Sequence, residues 1–163
     1  MENYLLLKRT EELEKLSKSL GFSKTYFLED LAVIKAETKK ELLKKIREVK
    51  RKKIIFRPSS EELLRFALER TKVDVIIGAE MINPKDSVHF VRGGLDQITC
   101  KIAAAKGKKV AFSFSDILNS KNKGKLLARM KLNLKLCKKY KVGVVFSNFS
   151  VSKEEIRSVK DLK

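Results

Sequence analysis

Two periods of hydrophobic spacing alternate along this chain. Short apolar runs rich in Val, Ile and Phe predict strands, because β-branched and aromatic side chains suit a buried pleated surface. Between these runs, apolar residues recur at intervals of three and four, which predicts amphipathic helices. Strands are predicted at 4–7, 53–56, 73–79, 109–114 and 142–146, with at least one more within 24–28 and 31–36. Helices are predicted at about 10–20, 38–49, 59–70, 95–106 and 123–140.

Three segments have the spacing of a capping box. In that motif a Ser or Thr hydroxyl and a Glu three residues on bond to backbone N–H groups at a helix start. The segments run from Thr38 to Glu41, from Ser59 to Glu62 and from Ser152 to Glu155. We therefore expect helices to begin just after each of these Ser or Thr residues.

Strands that alternate with helices predict a parallel sheet, because two parallel neighbours need a long crossover that a helix supplies. About six such units are visible, and the 163 residues suit one domain spanning 1–163. An open doubly wound sheet and a (β/α)₈ barrel both satisfy this order. The repetition without a Gly-rich phosphate loop favours a TIM-barrel-like α/β fold. A full barrel usually takes about 250 residues, so we expect this one to be incomplete or shortened at its C-terminus.

The helix predicted at 123–140 is the most unusual element. At 100° per residue it has an apolar face and a basic face. The predicted apolar face consists of Leu126, Leu127, Met130, Leu134 and Cys137, and the basic face of Lys125, Lys131, Lys135, Lys138 and Lys139. Basic residues recur from 121 to 141 without one Asp or Glu, although a merely solvated helix gains support from mixed charges at i and i+4. This face is therefore predicted to bind a polyanion.

The whole composition supports that prediction. The chain has 38 Lys and Arg against 20 Asp and Glu, a formal net charge of +18. Such a charge repels itself in the folded state, and a polyanionic partner is the simplest reason to carry it. No apolar run approaches the roughly 18 residues of a membrane span, and the first ten residues are too short for a secretory signal. We expect a cytoplasmic nucleic-acid-binding protein that does not bind membranes.

Catalytic motifs are not found in the sequence. It contains no G-x-G-x-x-G, P-loop or G-x-S-x-G pattern, and its one histidine, His89, falls in a polar segment. Asp74, Asp96 and Asp116 lie near predicted strand ends without a partner at catalytic spacing. Cys100 and Cys137 are expected to be buried thiols. We predict no catalytic, metal-binding or cofactor-binding residue in this chain. A metal-dependent barrel phosphoesterase and a general nucleic-acid-binding protein remain the alternatives.

Four segments resemble the barrel-shaped protein subunit of archaeal and eukaryotic ribonuclease P, called component 3 in archaea. They are KVDVIIGAEMINPKD (72–86), GGLDQITCKIAAAKGKKVAFSFSDIL (93–118), KGKLLARMKLNLKLCKKYKVGVVFSN (123–148) and IRSVKDL (156–162). The resemblance covers roughly Ser60 to Lys163. It departs from the family at Gln97, where a histidine is frequent, and the family usually continues beyond Asp161 and Leu162.

The resemblance implies a TIM-barrel-like subunit of a ribonucleoprotein. Its partners would be the ribonuclease P RNA, a smaller α/β protein subunit, other ribonuclease P proteins and, indirectly, precursor tRNA. The RNA would perform the cleavage with magnesium, so that this chain is part of an endoribonuclease without carrying its catalytic site. The resemblance points to Lys101, Lys123, Arg129 and Arg157. With the basic face of the 123–140 helix, the predicted RNA contacts are Lys101, Lys123, Lys125, Arg129, Lys131, Lys135 and Arg157.

Overall fold

The computed structural model describes residues 1–50, 52–83 and 85–162. Within these ranges the chain forms seven strands and six helices. The strands are β1 (Glu2–Tyr4), β2 (Lys24–Tyr26), β3 (Leu31–Ala36), β4 (Lys53–Pro58), β5 (Val75–Ile77), β6 (Lys109–Ser113) and β7 (Gly143–Ser147). The helices are α1 (Glu11–Ser19), α2 (Lys39–Glu48), α3 (Glu61–Arg70), α4 (Gln97–Ala105), α5 (Phe114–Asn119) and α6 (Lys123–Lys139).

The strands form two parallel sheets. Five strands pair in the order β3-β4-β5-β6-β7, and β1 pairs with β2. A parallel bridge between Leu5 and Ser150 joins the continuation of β1 to the segment after β7. No ladder within the described residues connects β2 with β3. The predicted parallel α/β architecture is confirmed, and its TIM-barrel-like arrangement is not closed.

The core has two layers because successive strand residues point to opposite faces of the sheet. Ile55 and Phe56 of β4 are both fully buried, yet they belong to different clusters. The inner cluster lies on one face of the strands and consists of Tyr4, Leu31, Ile55, Val75, Ile77, Ala111, Val145 and Phe149. The outer cluster packs Phe56 and its strand neighbours against the helices, including Cys100 and Cys137. Both cysteines are buried free thiols, as predicted.

Two of the three predicted capping boxes differ from the structure. Thr38 accepts a hydrogen bond from the Glu41 N–H, as expected. At the second site Ser60 caps α3 by accepting from the Leu63 N–H, while the Ser59 hydroxyl donates to the Ala36 carbonyl. Ser59 and Ser60 are adjacent, and either could cap the helix. The spacing of the motif alone therefore did not decide which serine is the cap.

The third predicted box does not start an α-helix. Residues Lys153–Glu155 form a single 3₁₀ turn in which Ser152 makes no side-chain cap. Glu155 instead accepts hydrogen bonds from Ser115 and Asn119 of α5, which draws the segment toward that helix. Helix α5 was itself missed by the sequence analysis, because its six residues are too few to display a helical period.

The predicted apolar face of α6 was partly wrong. Its buried residues are Leu126, Arg129, Met130, Asn133 and Cys137. Leu127 and Leu134 are 48% and 37% exposed. The buried stripe follows the spacing 126, 130, 133 and 137, and Leu127 and Leu134 lie about 80–100° away from Leu126 around the helix axis. The helix therefore buries an arginine and an asparagine while exposing two leucines.

This assignment predicts which side chain of α6 supports the fold. Met130→Ala should lower the free energy of unfolding by roughly 2–5 kcal/mol, because Met130 is 5% exposed and its removal opens a cavity. Leu134→Ala should cost about 1 kcal/mol or less, since that side chain is already partly in water. Urea unfolding of both variants would check this. Equal losses for the two variants would contradict the assignment of the buried face.

Candidate nucleic-acid interface

Helix α6 presents five exposed lysines on one side. Lys123, Lys131, Lys135, Lys138 and Lys139, here called the lysine face, are all exposed. They spread over about 160° of the helix circumference, opposite the buried stripe. Within the described ranges none of the five forms an ion pair. Their charge is therefore not neutralised by neighbouring carboxylates of the described chain.

Lys101 of α4 lies beside the C-terminal end of the lysine face. Its Nζ is 6.0 Å from the centre of the Tyr140 ring, and the Nζ of Lys139 is 5.6 Å from the same ring. The attraction between an ammonium and the face of an aromatic ring operates within about 6 Å. Tyr140 thus lies between a lysine of α4 and a lysine of α6, and Lys101 extends the same basic surface.

Arg129 is placed differently from the prediction, because it is 4% exposed. Its Nε and Nη2 donate to Asp86 Oδ1 at 2.9 and 2.6 Å, and its Nη1 donates to the carbonyls of Glu80 and Asn83 at 2.9 and 2.5 Å. A buried guanidinium is tolerated only when its donors are satisfied in this way. Arg129 therefore fastens the 85–94 loop to α6 from inside, and the structure does not expose it as a surface contact.

The other two predicted contacts also have partners. Lys125 Nζ lies 3.5 Å from Asp86 Oδ2, on the same loop as the Arg129 partner. Arg157 lies in the segment after β7, where Nη1 donates to the Glu154 and Ile156 carbonyls at 2.7 and 3.1 Å. Of the seven predicted contacts, the structure leaves four exposed on α4 and α6, namely Lys101, Lys123, Lys131 and Lys135.

The 85–94 loop is held against the fold by its two glycines. Asn133 Nδ2 donates to the Gly93 carbonyl at 2.7 Å, while Asn133 Oδ1 is buried without a hydrogen-bond partner among the described residues. A Cβ on Gly93 would lie 2.3 Å from Asn133 Oδ1, and one on Gly94 would lie 1.9 Å from the Ala79 carbonyl oxygen. Gly94 also has a φ of +85°, which side-chain-bearing residues rarely adopt. Gly94 therefore requires glycine, and a side chain at position 93 would displace the Asn133 amide.

Glu80 is the least expected residue near this interface. It is 1% exposed, and both of its carboxyl oxygens are buried without a hydrogen-bond partner among the described residues. Burial raises the pKa of this carboxyl to about 7, because an apolar environment disfavours the charged form. The sequence offered no signal for it, since an acid following a strand is usually exposed.

The aspartates considered at the sequence level have structural partners. Asp74 Oδ2 accepts from the Ile54 N–H at 2.7 Å. Asp116 forms an ion pair with Arg57 at 2.7 Å, and Asp96 caps α4 with Thr99. His89 is exposed in the 85–94 loop. In the described part of the chain, no three His, Cys, Asp or Glu side chains are grouped so that they could hold a metal ion.

The chain is similar in sequence to two archaeal proteins. No protein-family model matches the chain. A protein of Archaeoglobus fulgidus named ribonuclease P protein component 3 is 29% identical over 133 residues, which is 80% of this chain and 61% of that protein. The protein of the same name from Methanocaldococcus jannaschii is 28% identical over 134 residues, 80% of this chain and 55% of that protein. The predicted resemblance to ribonuclease P protein component 3 is confirmed.

The fold is also similar to that of a chain in a solved structure. A chain in a cryo-EM structure of archaeal ribonuclease P with mature tRNA superposes with a TM-score of 0.72 at 24% identity, over 99% of this chain and 69% of that one. The aligned part of this chain spans 61% and 55% of the length of the two proteins named ribonuclease P protein component 3. No helix in the described ranges is long and apolar enough to cross a membrane.

The raised pKa of Glu80 predicts a specific pH dependence of stability. A carboxyl whose folded pKa exceeds its ordinary value of 4.5 stabilises the fold fully below that pH and loses this contribution as the pH rises through about 7. The loss should amount to roughly 3 kcal/mol. Glu80→Gln cannot ionise, so its free energy of unfolding should rise relative to the native protein between pH 5 and pH 8. Parallel stability curves for the two proteins in urea would contradict this.

If the lysine face binds RNA, replacing two of its lysines with glutamate should lower the RNA affinity. Lys131→Glu with Lys135→Glu should weaken binding to a structured RNA by at least about tenfold, because each charged hydrogen bond contributes about 1.5 kcal/mol or more. The slope of log affinity against log salt should also fall by roughly 0.7 to 0.9 per lost contact. The melting temperature should be unchanged, since both side chains are exposed.

A matched control lies on α1, where Lys15 and Lys18 are exposed beside several glutamates. Changing both of these to Glu gives the same net charge, +14 instead of +18, because each change lowers the charge by two. The control should keep most of its RNA affinity. Equal weakening of both double variants would show that net charge matters and the position on α6 does not.

Proposed function

We propose that this chain is an RNA-binding protein subunit of ribonuclease P that supports RNA-catalysed removal of the 5′ leader from precursor tRNA. The observation that carries the proposal is the lysine face, five exposed lysines on a helix with no acidic residue and no ion pair to them in the described ranges. The similarity to two proteins named ribonuclease P protein component 3 indicates which RNA this surface would bind, namely the RNA of ribonuclease P.

The dimensions of α6 suit a phosphate backbone. Lys123 and Lys139 are sixteen residues apart in one continuous helix, which corresponds to about 24 Å along its axis. Lysine contacts to phosphate release counterions and position an RNA without reading its sequence. The surface would therefore recognise the path of the RNA backbone, as expected for a protein that supports a folded catalytic RNA.

The chemistry is assigned to the RNA. The carboxylates of Asp74, Asp96 and Asp116 form a backbone hydrogen bond, a helix cap and an ion pair, which are structural tasks. Magnesium would serve the RNA-catalysed reaction, and the chain would bind no cofactor of its own. The remaining partners in this proposal are a smaller α/β protein subunit, other ribonuclease P proteins and, indirectly, precursor tRNA, all in the cytoplasm.

Reconstitution of precursor-tRNA cleavage tests this function. The full chain is combined with ribonuclease P RNA and the other protein subunits, and leader release is followed with magnesium limiting. We expect faster cleavage with the chain than without it, and no cleavage by the chain alone, because no described side chain is poised as a nucleophile or base.

Two results would contradict the proposal. Cleavage of precursor tRNA by the purified chain without any RNA subunit, after nuclease controls, would indicate a protein active site and favour a phosphoesterase. An identical rate with and without the chain, together with equal affinity for duplex DNA and ribonuclease P RNA, would indicate a general nucleic-acid-binding protein.

A further inference from the structure

A cavity of about 700 Å³ lies between the start of α3, the 85–94 loop, the start of α4 and α6. Its wall combines one exposed aromatic ring, several apolar side chains and both signs of charge. The lining includes Glu61, Arg65, Phe90, Arg92, Asp96 and Leu132. None of these residues belongs to the lysine face, so the cavity is a separate feature.

We infer that this cavity binds an unpaired base of an RNA strand whose phosphates contact the lysine face. The inference rests on the proposed function, because it requires an RNA on α6. It goes further by assigning a ligand class, a single-stranded nucleobase, to residues outside the lysine face.

Phe90 provides the stacking surface. Among the Phe and Tyr residues in the described ranges only Phe90 is exposed, with 60% of its surface in water. The guanidinium carbon of Arg92 lies 5.9 Å from the centre of its ring. Unpaired RNA bases are bound by stacking on aromatic side chains and on guanidinium planes. The Phe90 ring and the Arg92 guanidinium, which both line this cavity, are therefore groups on which a base can stack.

The charges in the cavity select a base over a phosphate. Glu61, Glu62 and Asp96 line it together with Arg65 and Arg92, so it does not share the uniform positive charge of the lysine face. Carboxylates repel phosphate but accept hydrogen bonds from the amino and imino groups of bases. Asn83 adds an amide, whose Nδ2 donates to Glu61 Oε1 at 2.7 Å. Asp96 caps α4 and Glu62 pairs with Lys39, so Glu61 is the acceptor that the exocyclic amino group of a base would use.

The cavity adjoins the lysine face directly. Leu132 lines it, and Lys135 of the lysine face lies three positions further along α6, which makes the two side chains neighbours on the helix surface. A strand held by these lysines could therefore place one base in the cavity without leaving the surface.

The cavity is also preformed. Asp86 accepts from the Arg92 N–H at 2.9 Å and from the buried Arg129, and the Gly93 carbonyl accepts from Asn133. These contacts fix the back of the 85–94 loop to α6. A rigid site avoids the entropy cost of ordering a loop upon binding.

The test uses the full chain and a short RNA stem whose loop contains one unpaired 2-aminopurine, a base that loses fluorescence when it stacks. Phe90→Ala should reduce affinity by roughly five- to a hundredfold and abolish the fluorescence change, because one base stack is lost. The slope of affinity against salt should stay the same, since no phosphate contact is removed. Phe90→Trp should restore both affinity and quenching.

Val88→Ala is the matched control, because Val88 is 95% exposed in the same loop and does not line the cavity. It should behave like the native protein, and a fully paired RNA should bind Phe90→Ala and native protein equally. Replacing 2-aminopurine with an abasic nucleotide should weaken binding to the native protein but not to Phe90→Ala.

Two outcomes would overturn the base site. Equal loop-RNA affinity and equal quenching for Phe90→Ala and the native protein would exclude stacking on this ring. Normal RNA binding by Phe90→Ala with impaired association with another protein subunit would assign the cavity to a protein partner. In both cases a weakened Lys131→Glu, Lys135→Glu variant would leave the proposed RNA-binding function standing. If the native chain did not bind RNA, the proposed RNA-binding function would be rejected.

Discussion

The buried guanidinium of Arg129 organises the candidate interface. Four hydrogen bonds from one side chain join α6 to Asp86 and to two backbone carbonyls around the start of the 85–94 loop. Removing these bonds would leave a charge in the protein interior, which is far more costly than losing a surface ion pair. These contacts hold Asp86, near the start of the 85–94 loop, against α6, and that loop forms one wall of the cavity. Arg129 was predicted to contact RNA. It is instead buried, and it holds in place the loop that forms part of the surface.

The two sides of α6 show how charge is divided in this chain. Inside, Arg129 donates to the carbonyls of Glu80 and Asn83, and Asn133 donates to the carbonyl of Gly93. Outside, the lysine face lies on a helix that contains no acidic residue, in contrast to α1, whose first turn carries Glu11, Glu12 and Glu14. Concentrated positive charge destabilises the folded chain by self-repulsion, and binding of a polyanion relieves it. The same helix therefore serves the fold through its buried stripe and the proposed RNA through its lysines.

Hydrophobic periodicity was enough to predict the parallel α/β order, the helix of 123–140 and the buried cysteines. It could not decide which leucines of α6 face inward, because Leu127 and Leu134 occupy helical spacing as regular as that of Leu126 and Met130. Their exposure depends on neighbouring elements that the local sequence does not specify. The role of Arg129 required knowledge of Asp86, 43 positions away in the chain. The cavity at Phe90 is likewise formed by three helices and a loop, so no single segment indicates it.

The central claim is that α6, and not overall charge, meets the RNA. Lysine acetylation footprinting by mass spectrometry, with and without ribonuclease P RNA, examines this claim most directly. The account predicts that the RNA protects Lys131, Lys135 and Lys138 while Lys15 and Lys18 remain equally reactive. Equal protection of both sets, or none on α6 under conditions in which the RNA is bound, would contradict it.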